Sequence, residues 1–208
     1  MMTFSLWLAF LALALATTFS PGPAVLLAVS STLELGPRRA AFGSAGNAVG
    51  VFLVACVAVG GVGVLLKAWP SAFAVLKLGG ACYLGWLGVQ QWRRAGRGGS
   101  VAMAAAAEGG SRLLVFRRGM LVACSNPKAI LFFAAVFPQF MPAGAIAIGR
   151  FLLLSLTFVC CTLLAHTAYI GLAATAGPRM LAGPRMAGLQ RGMAVLLICL
   201  AIAMALLS

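Results

Sequence analysis

Apolar residues run along this chain in six long stretches, at about residues 4–32, 40–66, 71–92, 114–140, 146–173 and 187–207. Short segments carrying Gly, Pro or Arg part them. A bilayer core about 30 Å thick takes roughly 20 apolar helical residues per crossing. Each stretch therefore predicts a membrane span, and the chain predicts an all-α, polytopic membrane helix bundle of about six transmembrane helices. Only the segment from Arg93 to Arg118 is long enough for a substantial loop. Its Gly-, Ser- and Ala-rich middle, with Glu108, reads as a flexible linker. That linker, residues 93–118, divides the chain into residues 1–92 and residues 119–208, two units of three spans each.

Composition removes the soluble alternative. Of 208 residues, 63% are hydrophobic and 8% charged, too few polar groups to clothe a water-facing surface. The apolar amino terminus, Met1 to Ala16, lacks a basic leading segment and runs into a Pro-Gly-Pro break, so it reads as a retained first span.

The formal charge of +13 would suggest nucleic acid in a soluble chain, but here the arginines form loop clusters and no basic face. Lys and Arg in short loops are retained in the cytoplasm. Arg38 and Arg39 fall in the first loop, Arg93, Arg94, Arg97, Arg112, Arg117 and Arg118 in the third, and Arg179, Arg185 and Arg191 around the fifth. The other side has Lys67 and Arg150. Odd loops are thus expected inside and both termini outside. Three spans per half then makes the two halves inverted with respect to each other.

Inverted repeats matter because transporters built from them hold substrate where corresponding spans are broken near the midplane. Span one is interrupted at Ser20, Pro21, Gly22 and Pro23, and span four at Ser125, Asn126, Pro127 and Lys128. Prolines remove backbone donors and leave carbonyls unpaired, which lipid tolerates only against protein or water. Lys128 is a cation inside an apolar run and is expected to face a wet cavity or to cap broken-helix carbonyls. Snorkelling to the interface is the open alternative. For the first break, the alternative is a packing kink relieved by Ser20 and Thr17.

Span two carries Gly43, Gly46, Asn47 and Gly50, a face expected to make close helix contact with Asn47 projecting an amide. Span five puts Ser155, Thr162, His166 and Tyr169 on one face, a polar stripe expected to turn inward. His166 is the one histidine, a candidate for proton coupling or for a structural hydrogen bond. Cys56, Cys82, Cys124, Cys160, Cys161 and Cys199 lie within apolar stretches with no ligand spacing, and read as small buried hydrophobes. The two carboxylates, Glu34 and Glu108, fall outside the spans. This leaves hydrolysis or metal catalysis little to work with, so no enzyme, no metal and no cofactor is expected.

Several of these residues resemble the lysine exporter superfamily, within it the branch of homoserine/threonine resistance exporters. The likeness rests on Pro21-Gly22-Pro23, on Gly36 with Arg38, Arg39 and Gly43 to Gly50, and on Lys77, Gly80, Tyr83, Leu84 and Gly88. In the second half it rests on Asn126-Pro127-Lys128-Ala129 followed by Phe132, Phe133, Pro138, Gln139 and Phe140, and on Arg191-Gly192. The resemblance implies export of amino acids from the cytoplasm across a bacterial inner membrane, by proton exchange, with no bound cofactor. Ala24 departs from the polar residue usual after Pro-Gly-Pro. The similar exporters of basic amino acids carry an acid where Asn47 stands, and their Asn-Pro is usually not followed by Lys, so a neutral substrate is expected.

The expected site joins Ser20, Pro21, Gly22, Pro23, Asn47, Asn126, Pro127 and Lys128 as substrate-binding residues. Thr162, His166 and Tyr169 are candidates for cavity lining or proton coupling. The expected partners are an amino acid and the lipid bilayer, with no nucleic acid and a homodimer as the one protein assembly considered. A passive channel, a non-transporting assembly protein, and an exporter of metal ions or other small solutes are the open alternatives.

Overall fold

A computed structural model describes residues 2–68, 72–96, 111–141, 147–181 and 184–206. Eight helices account for nearly all of them: α1 (Phe4–Phe19), α2 (Pro23–Leu35), α3 (Pro37–Ala68), α4 (Ala72–Gly96), α5 (Arg112–Cys124), α6 (Pro127–Leu131), α7 (Ile148–Leu181) and α8 (Pro184–Leu206). The expected linker falls mostly on residues 97–110, outside the described residues.

The two interruptions fall where the prolines predict them. α1 ends at Phe19 and α2 opens on Pro23, with a bend of 50° between them; α5 ends at Cys124 and α6 opens on Pro127, with a bend of 47°. Proline suits a first helical position, where its missing N–H would be unpaired anyway. Beyond α6, the chain widens into a π-helical turn over Phe132–Val136 and tightens into a 3₁₀ turn over Phe137–Phe140 around Pro138. α2 turns into α3 at Gly36, whose φ of 84° is open to glycine at little cost.

Alone, α3 over Pro37–Gly61 and α7 over Ile148–Thr175 are long and apolar enough to cross a membrane. The bent pairs α1–α2 and α5–α6 pass together, the second extending to Phe140, which gives two to four candidate spans among the described residues.

Contacts between helices fix their directions. Trp7 donates to Thr157 (3.2 Å) and Tyr169 to the Phe19 carbonyl (2.8 Å), so α1 and α7 run parallel. Gly43 faces Val115 and Gly50 faces Ala123, so α3 and α5 run parallel too. Ser44 meets His166 and Phe52 meets Phe151, which sets α3 antiparallel to α7. Gly85 faces Ala201 and Gly88 faces Ala194, so α4 and α8 are antiparallel.

Small residues carry the tightest seam. A Cβ on Gly46 would collide with the Phe116 carbonyl, and one on Gly119 with the Gly43 carbonyl. Without a hydrophobic drive between helices in lipid, such close approach lets dispersion and backbone contacts hold the pair together. The glycine face of span two is therefore the α3–α5 contact.

The core is aromatic. Phe10 packs edge-on against Phe132, Phe137 and Phe140 at centroid distances of 5.2–6.0 Å, and Phe158 sits 4.6 Å from Phe132 and 4.9 Å from Phe133. This cluster ties α1 and the turns after α6 to α7. The cysteines correct the expectation of burial: Cys161 is buried, while Cys56, Cys82, Cys124, Cys160 and Cys199 lie on the exterior. In a lipid-solvated bundle an apolar side chain gains nothing by turning inward, so its polarity does not report burial.

Candidate functional site

Each broken span leaves helix-end groups to be satisfied, and side chains from other elements do this. At the first break, Tyr169 donates to the Phe19 carbonyl (2.8 Å) and Lys128 Nζ to the Ser20 carbonyl (2.6 Å). At the second, the Asn126 side chain accepts from the Lys128 backbone N–H (3.1 Å), capping α6, and Tyr83 donates to the Lys128 carbonyl (3.1 Å). The Lys128 side chain therefore spans from one break to the other. Cationic donors to a carbonyl make short, strong bonds, and this one draws the two breaks together. The Lys128 stem also packs against Gly22, where an added Cβ would lie 3.6 Å from its Cδ.

Between the breaks lies a cavity of about 40 Å³, lined by Thr17, Thr18, Ser20, Gly22, Ala24, Val25, Asn47, Val51, Asn126, Lys128, Ala129, Phe158, Thr162 and His166. A single water needs roughly 10–15 Å³ on this scale, so it has room for about three waters. Ser20, Gly22, Asn47, Asn126, Lys128, Thr162 and His166, all singled out from the sequence, are brought to it. Pro21, Pro23, Pro127 and Tyr169 are not among its lining residues; the prolines shape the breaks, and Tyr169 ties α7 to α1.

The stripe on α7 is buried throughout: Ser155, Thr162, His166 and Tyr169. His166 Nδ1 lies 3.2 Å from Ser44 Oγ. Ser44 is placed to give its proton to the Ala40 carbonyl (3.4 Å). On that arrangement His166 donates from Nδ1 and leaves Nε2 an acceptor, the tautomer being set by its partner. Asn47, 2% exposed, donates from Nδ2 to the Gly119 carbonyl (3.4 Å). Its Oδ1 and the Thr17 hydroxyl are buried without a partner among the described residues.

Thr17, expected from the sequence as kink relief, also lines the cavity, and so do Thr18, Val51 and Phe158, which were not among the expected site residues. A signal existed for three of them. Thr17 lies three residues before Ser20, Phe158 four before Thr162 and Val51 four after Asn47, so each shares a helical face with a residue already singled out. Among the described residues no group of His, Cys, Asp and Glu could hold a metal ion.

Residues 15–208 match the model of the LysE type translocator family. The chain is 35% identical over 172 residues to the homoserine/homoserine lactone efflux protein of Salmonella typhi, covering 83% of this chain and 82% of that one. It is 33% identical over 139 residues to the leucine efflux protein of Enterobacter sp. (strain 638), 66% and 64% of the two chains. It is 30% identical over 135 residues to the threonine efflux protein of Salmonella typhi, 63% and 64% of the two chains. No solved structure matches the chain.

Proposed function

Since this chain belongs to the LysE-type translocator family, we propose that it is a secondary transporter exporting neutral amino acids from the cytoplasm. The carrying observation is that two spans, broken at corresponding places and bent by 50° and 47°, meet through the Lys128–Ser20 bond at one cavity that Asn47, Asn126, Lys128 and His166 help to line. Relatives named for efflux of homoserine, leucine and threonine supply the substrate class.

α1–α2, α3, α4, α5–α6, α7 and α8 serve as six spans, and residues 1–92 and 119–208 form two inverted repeats around the linker. Helix directions support this: α1 follows α7, α5 follows α3, and α3 opposes α7, so the two broken spans run in opposite directions. Exchanging the halves carries the α3–α5 contact onto the α7–α1 contact. Basic residues in the odd loops put both termini outside the inner membrane.

In this orientation the aromatic cluster around Phe10 and Phe133 seals the cavity from outside, with Phe158 belonging to both. A space for about three waters is too small for an amino acid, so the walls must part during transport. Glu34 stands in the last turn of α2 and no carboxylate is among the cavity's lining residues, so proton coupling runs through His166 or ordered water. Lys128 meets the substrate carboxylate, and the cavity holds no anion to balance a second cation, which disfavours lysine and arginine.

Efflux of preloaded radiolabelled homoserine, threonine and leucine from expressing cells, against a higher outside concentration, tests the proposal. Extrusion above control cells, abolished by collapsing the proton gradient, is expected. Movement of none of the three would refute amino-acid export, and flux indifferent to the uncoupler would indicate a passive pore.

A further inference from the structure

The cavity wall sorts its hydrogen-bonding groups by kind. Thr18 gives its one hydroxyl proton to the Ala14 carbonyl (2.8 Å) and Thr162 gives its own to the Phe158 carbonyl (2.9 Å), so both offer the cavity lone pairs only. Asn47 is oriented by chemistry: the Gly119 carbonyl can only accept, so the amide nitrogen must face it and Oδ1 is the end left over. That oxygen is buried without a partner among the described residues, as is the hydroxyl of Thr17, which forgoes the back-bond its neighbour Thr18 makes. The Asn126 oxygen is already taken by the Lys128 N–H. The wall is thus rich in acceptors, and its one ammonium belongs to Lys128.

We propose that Thr17, Asn47 and Thr162 form an ammonium-binding subsite, three acceptors for three N–H donors, while Lys128 takes the carboxylate of the same substrate. This rests on the amino-acid reading above and adds which residues fix the substrate's direction. Lys128 repels an ammonium and attracts a carboxylate, so the zwitterion enters one way round. Buried acceptors left unpaired are costly, so a site built to accept N–H bonds rejects a ligand that lacks them far more strongly than an apolar pocket rejects a missing methylene. Thr17 is therefore a specificity-determining residue, and its missing partner is the substrate.

Binding of L-homoserine and of its amine-free analogue γ-hydroxybutyrate to the purified full-length protein tests this. The wild type is expected to prefer homoserine by about tenfold or more. Thr17→Val and Thr162→Val keep side-chain shape and are each expected to shrink that preference several-fold, by weakening homoserine alone. Undiminished γ-hydroxybutyrate binding certifies that each variant is folded. Lys128→Met should weaken both ligands alike and preserve the ratio. Equal affinity for the two ligands in the wild type, or an unchanged ratio in both valine variants, would overturn the subsite while leaving amino-acid binding intact. If neither ligand binds the folded wild type, the amino-acid reading and the subsite fall together.

Discussion

Gly46→Ala adds one methyl group at the tightest point of the α3–α5 seam, directly against the Phe116 carbonyl and closer than the 3.0 Å that real Cβ atoms respect. The obstacle is backbone, so no side chain can swing aside, and the helices must separate by on the order of 1 Å. Overpacking of this kind costs about 1–3 kcal/mol. Against it stands the gain from replacing glycine in a helix, about 0.8–1.0 kcal/mol. A backbone obstacle puts the cost in the upper part of that range, about 2–3 kcal/mol, so the clash wins by roughly 1–2 kcal/mol. For a chain of this size that lowers the unfolding midpoint by about 2–8 °C, taking about 2–4 °C per kcal/mol. Gly171→Ala is the matched control: Gly171 is exposed on α7 with nothing within 4 Å of an added Cβ, so only the propensity gain applies and the midpoint should hold or rise. Thermal unfolding in detergent reads both. Separation at Gly46 also draws Asn47 from the Gly119 carbonyl, so homoserine export should fall with stability. If Gly46→Ala proves as stable as Gly171→Ala, the close α3–α5 seam is wrong.

Three other substitutions probe the breaks and the cavity. Tyr169→Phe leaves the Phe19 carbonyl without its 2.8 Å partner and should destabilise by about 1–3 kcal/mol, read as a lower unfolding midpoint; an unchanged midpoint would mean that the carbonyl is otherwise satisfied. Asn47→Asp removes the donor to Gly119 and sets an anion in the cavity, so export of neutral amino acids should fall and lysine or arginine should compete, a shift of about tenfold or more; a well-inserted variant with the parent's substrate profile would withdraw Asn47 from the site. His166→Gln should flatten the pH dependence of efflux, whereas an unchanged profile would leave His166 a structural partner of Ser44.

Much of this arrangement was legible in the sequence because the signals were local. Pro21, Pro23 and Pro127 set both breaks, since a proline can neither donate in a helix interior nor fit there. The spacing of Gly43, Gly46 and Gly50 marked a close helix face. What could not be read was long-range or chosen by competition. Lys128 and Ser20 are 108 residues apart, and nothing in a single sequence says which carbonyl a lysine will reach. Thr17 and Thr18 are the same residue type one position apart and both line the cavity, yet only Thr18 back-bonds to its own helix, a choice of rotamer that the sequence does not spell out. The five exterior cysteines show the converse limit, since apolar character does not separate lipid-facing from buried positions in a membrane helix.

The central claim is that an amino acid passes through the cavity where the two broken spans meet, and counterflow tests it most directly. Proteoliposomes containing only the purified protein, loaded with unlabelled homoserine and diluted into trace radiolabelled homoserine, should transiently accumulate label with the wild type and lose that overshoot with Lys128→Met. An overshoot of wild-type size in Lys128→Met would place the pathway elsewhere, and no overshoot in the wild type would contradict carrier-mediated amino-acid transport altogether.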